Sequence, residues 1–431
     1  MTTDKPQATR RFITAWALWD AGGAAFNAIM TTFVFTVYLT SSSFGSEEDT
    51  TAVLSKGLMI AGVVIALFAP VTGQRSDASG KRAFWLSFNM LATVVLMALC
   101  FFVKPDPAYL VWGVALIAAG NIVNEFSVVN YNAILPQIST PQTVGKISGI
   151  GWSSGYFGGI IALALVLVGF ISPGLLGISH QDSLHIRSVA LFAAAWCLLL
   201  SAPLLLSLRK SPLFTASLPA PRQTIFESYR ELGRTLARLY RTSPKTLYFL
   251  VTSAIFRDGL TGIFTFGGVL AAGTFGFSTN QVIIFAIFGN VVAGLGALLG
   301  GKLDDSLGPK HVIMGSLVCI LLAATPLLFV QSTTLFWICG LTLCAFVGPA
   351  QSASRTYLSR IIPAGQEGEI FGLYSTTGRA TSFLAPALFG LFVTLLGAQV
   401  WGIIGIIIII AFGLLMMLPL DKRPQVDHSS L

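Results

Sequence analysis

Twelve apolar stretches run along this chain, each near the length of about 20 residues that a helix needs to cross a bilayer. They fall at 13–40, 53–74, 83–103, 109–136, 146–172, 187–207, 245–276, 281–300, 311–330, 335–362, 367–396 and 399–419. Inside hydrocarbon every backbone N–H and C=O must be satisfied within the segment, so stretches of this length read as helices. The expected fold class is an all-α membrane protein with twelve transmembrane helices. Charge agrees: 10% of the 431 residues are charged, against about 25% in a soluble domain. Lipid must cover most of the surface.

The formal net charge of +8 would suggest a nucleic-acid partner in a soluble protein. Here the basic residues alternate with the spans and orient them. Lys5, Arg10, Arg11, Arg75, Lys81, Arg82, Lys146, Arg209 and Lys210 fall on one side. So do Arg222, Arg230, Arg234, Arg238, Arg241, Lys245, Lys302, Lys310, Arg360, Lys422 and Arg423. Lys56, Lys104, Arg187 and the acidic run Glu47-Glu48-Asp49 fall on the other. The imbalance puts both termini in the cytoplasm of a plasma or bacterial inner membrane, with no nucleic-acid partner. The first apolar stretch is too long and polar for a cleaved signal peptide. The five cysteines lie inside apolar stretches and read as core residues. The four histidines lack metal-ligand spacing. No metal and no cofactor is expected.

One connection is long. It divides the chain into an N-terminal bundle (1–207), a linker (208–244), a C-terminal bundle (245–420) and a tail (421–431). The linker opens with Ser211, Pro212, Pro219 and Pro221 and continues as Thr224–Arg241. There Phe226, Tyr229, Leu232, Leu236 and Leu239 recur at helical spacing, with Arg230, Arg234 and Arg238 on another face. This is the pattern of a helix lying on an anionic membrane surface.

The chain repeats itself. Gly73-x-x-x-Asp77-x-x-Gly80-x-Arg82 follows the second stretch, and Gly301-x-x-x-Asp305-x-x-Gly308-x-Lys310 follows the eighth, every position offset by 228. Leu135-Pro136 is echoed by Ile362-Pro363, and Gly145-x-Ile147-x-Gly149 with Gly155 by Gly368-x-Ile370-x-Gly372 with Gly378. Duplicated landmarks six stretches apart predict two parallel, pseudo-symmetric six-helix bundles. The glycines suit tight turns between helices. Each aspartate can cap a neighbouring helix or pair with the following cation, so the loops can latch and release the cytoplasmic side. A purely topological role for these loops is the alternative.

The loop pattern resembles the signature of the major facilitator superfamily. Further stretches resemble one branch of it, the autophagy-related vacuolar amino-acid effluxers and their bacterial relatives of unassigned function. They are Trp16-Ala-Leu-Trp-Asp20 with Phe26, Phe256-Arg-Asp258-Gly259, Tyr131-Asn132-Ala133-Ile134-Leu135-Pro136, Ser148-Gly-Ile-Gly-Trp152, and Gln351-Ser-Ala-Ser-Arg355 with Phe371-Gly372. The chain departs from that branch at Ala21-Gly22-Gly23, where a Trp-Ala-Asn-like segment is usual, and at Arg257, where an asparagine is usual. The resemblance implies a secondary transporter whose first, fourth, seventh and tenth helices line the substrate path.

Ionisable residues lie far from helix ends: Asp20, Glu125, Arg257, Asp258 and Arg379. Such groups cost several kcal/mol in lipid unless paired or hydrated, about 3 kcal/mol on insertion scales. Glu125 or Asp258 is expected to carry a coupling proton, with Arg257 and Arg379 as counter-charges or as grips for a substrate carboxylate. A static salt bridge joining two helices is the competing reading. Asn27, Asn121, Asn124, Asn130, Tyr131, Asn132 and Gln351 add a polar lining that suits a small zwitterionic or polyhydroxylated solute, or else bond helix to helix. Gly149-x-Gly151-x-x-x-Gly155-x-x-Gly158-Gly159 reads as a smooth packing face, and Arg355 as a snorkelling side chain near a helix end.

No hydrolytic triad or phosphate loop occurs in a plausible setting, so no catalytic residues are named and no enzyme is expected. The reading is a proton-coupled transporter of a small polar, amino-acid-like solute, monomeric by default. A proton-driven exporter of amphipathic drugs and a non-transporting sensor with the same fold are the alternatives.

Overall fold

The structure is a computed structural model describing residues 9–171, 174–210, 224–277, 279–363 and 365–421. Lys5, the start of the linker (Ser211, Pro212, Pro219, Pro221, Arg222) and the tail with Lys422 and Arg423 lie outside the described residues. The described chain is built of helices and turns.

Among the described residues, twelve helices are long and apolar enough to cross a membrane. They are span 1 (Arg10–Leu39), span 2 (Ala52–Ser79), span 3 (Arg82–Phe102), span 4 (Pro107–Ile138), span 5 (Val144–Ile171) and span 6 (Gln181–Leu208). Then come span 7 (Pro244–Gly268), span 8 (Ile284–Leu307), span 9 (Pro309–Leu328), span 10 (Thr333–Ile361), span 11 (Glu367–Leu396) and span 12 (Gln399–Met417). The expected stretches are all present, and the chain is a multi-pass membrane protein.

The motif loops are shorter than expected. Span 2 continues to Ser79 and span 8 to Leu307, so Gly73, Asp77, Gly301 and Asp305 lie in helical turns. Nothing in those polar turns breaks a helix, and leaving the apolar zone does not end one. The break comes at Gly80 (φ 62°) and Gly308 (φ 90°), whose left-handed backbone disfavours a side chain.

Contacts divide the described chain into two units. Unit 1 is Met1–Asn132 with Ser154–Thr224, and unit 2 is Ala133–Ser153 with Ile225–Leu431. Within unit 1, span 1 packs on span 6, span 4 on spans 2 and 3, and span 3 on span 6. Within unit 2, span 7 packs on span 12, span 10 on spans 8 and 9, and span 9 on span 12. The same pairs recur six spans later, so the duplication seen in the loops extends to the packing.

Three spans are irregular near the candidate residues. Span 1 widens into a π-helix over Phe26–Phe33. Span 4 breaks after Asn132 and resumes for one turn at Leu135–Ile138. Span 11 breaks between Glu367–Thr381 and Leu384–Leu396. Pro386 lacks the N–H that would bond the Ser382 carbonyl, which accounts for that last break.

The linker helix covers Ile225–Thr242. Leu232 and Leu239 bury together with Ser228 and Thr235, while Phe226 is 79% exposed and Tyr240 is also exposed. The expected apolar face is therefore divided between the protein and the surroundings. Arg230, Arg234 and Arg238 are exposed, with Glu231 paired to Arg234 at 3.0 Å.

Candidate functional site

In unit 1 the site is built on span 1. Trp16 and Trp19 stand three residues apart, hence on one helix face. The Tyr131 ring of span 4 lies between them, centroids 4.5 and 4.1 Å away and nearly parallel to both. The Trp16 indole N–H donates to the Tyr131 carbonyl at 3.4 Å, and the Tyr131 hydroxyl donates to Asp20 Oδ2 at 3.4 Å. Gly155 of span 5 leaves room for the carboxyl: a β-carbon there would lie 3.5 Å from Asp20 Cγ. Gly158 packs directly on Ala21, where a β-carbon would lie 2.5 Å from the Ala21 Cα. This end of the glycine run is a packing face, and its result is a half-buried carboxyl group on a rigid aromatic mount.

Span 4 supplies the amides. Asn124 is buried and its Oδ1 accepts no hydrogen bond among the described residues. Asn130 Nδ2 donates to the Phe126 carbonyl at 2.9 Å, while its Oδ1 is likewise unsatisfied there. Glu125, Asn121 and Asn132 are half-buried. Asn27 lies exposed in the π-helical part of span 1, where its carbonyl accepts from the Thr31 and Thr32 hydroxyls.

In unit 2 the two candidates at the centre of span 7 turn to opposite sides of the break in span 11. Asp258 is buried, and its Oδ2 accepts from the Ala385 backbone N–H at 2.6 Å. It thereby caps the second half-helix, whose first N–H groups have no carbonyl of their own. Arg257 lies over the Tyr374 ring, 3.7 Å from its centroid, and Nη1 donates to the Tyr374 carbonyl at 3.3 Å. The Tyr374 hydroxyl is held by Ser354 of span 10 at 2.8 Å. Gly378 makes space for the guanidinium: a β-carbon there would lie 3.1 Å from Nη2. Thr381, at the break, donates to the Ala254 carbonyl at 3.1 Å. Arg257 and Asp258 do not pair with each other. Arg379 and Gln351 are half-buried on spans 11 and 10.

The motif residues also make defined contacts. In unit 1 Asp77 pairs with Arg82, both buried. In unit 2 Asp305 does something different, accepting the N–H groups of Gly145 (2.7 Å) and Lys146 (2.8 Å) at the start of span 5. Lys310 is buried and donates to the Leu418 and Leu420 carbonyls, both at 2.6 Å, where span 12 ends. The two halves of the repeat have diverged in the partner of their cation.

Around Asp305 residues 144–153 are fastened to spans 8 and 10. A β-carbon at Gly145 would lie 2.6 Å from the Gly301 carbonyl, and one at Gly149 2.5 Å from the Ala297 carbonyl. Backbone therefore meets backbone. Arg360 pairs with Asp304 at 2.7 Å and with Asp305 at 3.5 Å, and donates to the Pro141 carbonyl at 3.2 Å. Thr356 donates to Asp304. Arg355 donates to Ser148 Oγ at 3.0 Å and to the Ser148 carbonyl at 2.7 Å, and Ser352 donates to Ser148 Oγ at 3.1 Å. Arg355 is 4% exposed, so it does not snorkel. Ser148 satisfies it from across the helix interface and removes the need to reach water.

Sequence reasoning missed Tyr374, Asp304, the bonding of Ser148 to Arg355 and the break in span 11. Two signals were there to read: two adjacent acids, Asp304-Asp305, at the end of an apolar span, and Pro386 inside another.

Residues 42–426 match the sequence model of the family described as vacuole effluxer Atg22 like. An uncharacterized MFS-type transporter of Bacillus subtilis, YxiO, is 23% identical over 430 residues, 96% of each chain. Autophagy-related protein 22 of Kluyveromyces lactis is 26% identical over 82% of this chain and 74% of its own length. Autophagy-related protein 22 of Coccidioides immitis is matched over 49% of its length, at 22% identity. Among solved structures, the fucose:proton symporter FucP of E. coli superposes with a TM-score of 0.69 at 14% identity, over 94% of this chain and 97% of that one. That likeness speaks for the fold alone. The match over residues 42–426 shows that the chain is a major facilitator transporter belonging to the Atg22 family.

Proposed function

We propose that this transporter moves a small polar, amino-acid-like solute across a cell membrane by alternating access, coupled to protons. The observation that carries the reading is the fastening of residues 144–153 to spans 8 and 10. Its chemistry is charge and hydrogen bonds laid over glycine-to-backbone contacts. Polar contacts exchange for water at a net cost of only about 1 kcal/mol each, so such a joint can open and close. A permanent joint would be apolar. The bias of basic residues supports a cytoplasmic position for this joint and both termini. The chain works as a monomer whose N-terminal (1–207) and C-terminal (245–420) bundles are tied by the linker.

The solute is polar because the side chains held within the spans are polar: Asp20 on its aromatic mount, and the amide oxygens of Asn124 and Asn130, unsatisfied among the described residues. Asp258 is the favoured proton carrier, with Glu125 the alternative. Its charge is favoured by the half-helix it caps. A proton there weakens the cap and frees the second half of span 11, which joins proton uptake to movement. The symporter name of FucP is a statement about that protein and points the same way on protons, while the family description supports transport and names a vacuole.

The test is solute uptake by proteoliposomes under an imposed pH gradient. Gradient dependence is lost in Asp258→Asn or in Glu125→Gln. Dependence retained in both removes the coupling claim.

A further inference from the structure

Among the described residues Arg257 is a charge without a counter-charge. Its hydrogen bonds and ring contacts among the described residues are with Tyr374 and its own helix. Its neighbour Asp258 is committed to Ala385. Of the five N–H groups of a guanidinium, one is used, on the Tyr374 carbonyl. The side chain is nevertheless half-buried at the middle of span 7, where a lone cation is expensive. Stacking on an aromatic ring offsets part of that cost, and not all of it. A guanidinium at this depth with accessible N–H edges must face water or a ligand, because lipid offers it no acceptor.

The arrangement is also pre-organised. Tyr374, fixed by Ser354, holds the guanidinium plane, and glycine at 378 keeps the neighbouring turn of span 11 from covering it. A flat fork of donors in a fixed plane matches the two oxygens of a carboxylate. We propose that Arg257 is the receptor for a carboxylate group of the transported solute, which supplies the missing counter-charge. This rests on the transport reading and deepens it. The recognised class is the organic carboxylate, with or without an amino group, and the amide of the same compound is excluded. Arrival of the anion competes with the Tyr374 carbonyl for Nη1, so occupancy acts on span 11 next to its break.

The experiment is a thermal-shift titration of the purified full chain with amino acids and simple monocarboxylates, each paired with its own amide, and with chloride and inorganic phosphate. Ligand binding raises the melting temperature by mass action. Wild type is stabilised by carboxylates and not by their amides. In Arg257→Gln the affinity falls by about 30-fold or more, as for truncation of one partner of a buried charge pair. The Arg257→Gln protein without ligand melts no lower than wild type, because it loses an uncompensated charge, whereas a structural arginine would leave it less stable. Equal shifts by acid and amide, unchanged carboxylate shifts in the variant, or shifts by chloride and phosphate alone overturn the assignment while leaving transport in place. No stabilisation by any solute, neutral ones included, overturns the transport reading as well.

Discussion

Asp305→Ala tests the joint between residues 144–153 and spans 8 and 10. The substitution removes the acceptor of the Gly145 and Lys146 N–H groups and one partner of Arg360, which keeps Asp304 and the Pro141 carbonyl. Loss of a helix N-terminal cap costs about 1–2 kcal/mol. The arginine pair at 3.5 Å adds less than about 1 kcal/mol. At 1.4 kcal/mol per tenfold, the detached population rises by about 5- to 100-fold. Ser352→Cys reports it, in a background with the five native cysteines replaced. Ser352 is 1% exposed and bonded to Ser148, so a maleimide reaches the thiol only when the segment lifts. Where opening is fast relative to alkylation, the rate follows the open population. Asp305→Asn retains an acceptor for the N–H groups and gives an increase of less than about tenfold. Alkylation in Asp305→Ala within about twofold of the parent would refute the assignment of Asp305 as a cap that holds the joint.

Other substitutions have defined outcomes. Gly149→Val forces a β-carbon to within 2.5 Å of the Ala297 carbonyl, so alkylation of the Ser352→Cys reporter should rise as it does in Asp305→Ala. Trp16→Ala lowers stability by about 3–5 kcal/mol by removing one side of the Tyr131 stack, whereas Tyr131→Phe, which keeps the stacked ring and gives up the hydroxyl's long bond to Asp20, costs about 1 kcal/mol. Thermal melts that rank these two the other way contradict the mount described for Asp20. Asp258→Ala loses the cap on Ala385 and costs about 1 kcal/mol, of which Asp258→Asn, keeping an acceptor but not the charge, recovers only part. Equal melting of the two variants would show that the cap adds nothing. Replacing Arg230, Arg234 and Arg238 with glutamine removes about 1 kcal/mol of attraction per arginine to an anionic membrane surface. Stabilisation of the protein by anionic phospholipid should fall accordingly, while stabilisation by zwitterionic lipid stays the same.

The twelve spans and their duplication were legible because both follow from local pattern. Apolar length sets the spans, and an offset of 228 between the two glycine–aspartate motifs exposes the repeat. The ionisable residues at depth could be named from the same pattern, since Asp20, Arg257 and Asp258 interrupt stretches that are otherwise apolar. Their partners could not. The carboxylate of Asp258 finds a backbone N–H 127 positions away, and Arg257 finds a ring 117 positions away. No periodicity within one helix encodes such distances. Arg355 shows the limit most plainly. Near a helix end an arginine is expected to reach for water, yet Ser148, 207 positions earlier, offers two oxygens and buries it. Likewise, helices outlast their apolar zones when nothing stops them, which is why Asp77 and Asp305 act from helical turns.

The measurement that bears most directly on the whole account is accumulation of a labelled organic carboxylate by proteoliposomes holding the purified chain, with and without a pH gradient. Accumulation above the external concentration, abolished by a protonophore and by Arg257→Gln, is the predicted result. Liposomes that equilibrate the carboxylate no faster than protein-free controls, with the gradient in either direction, would contradict it.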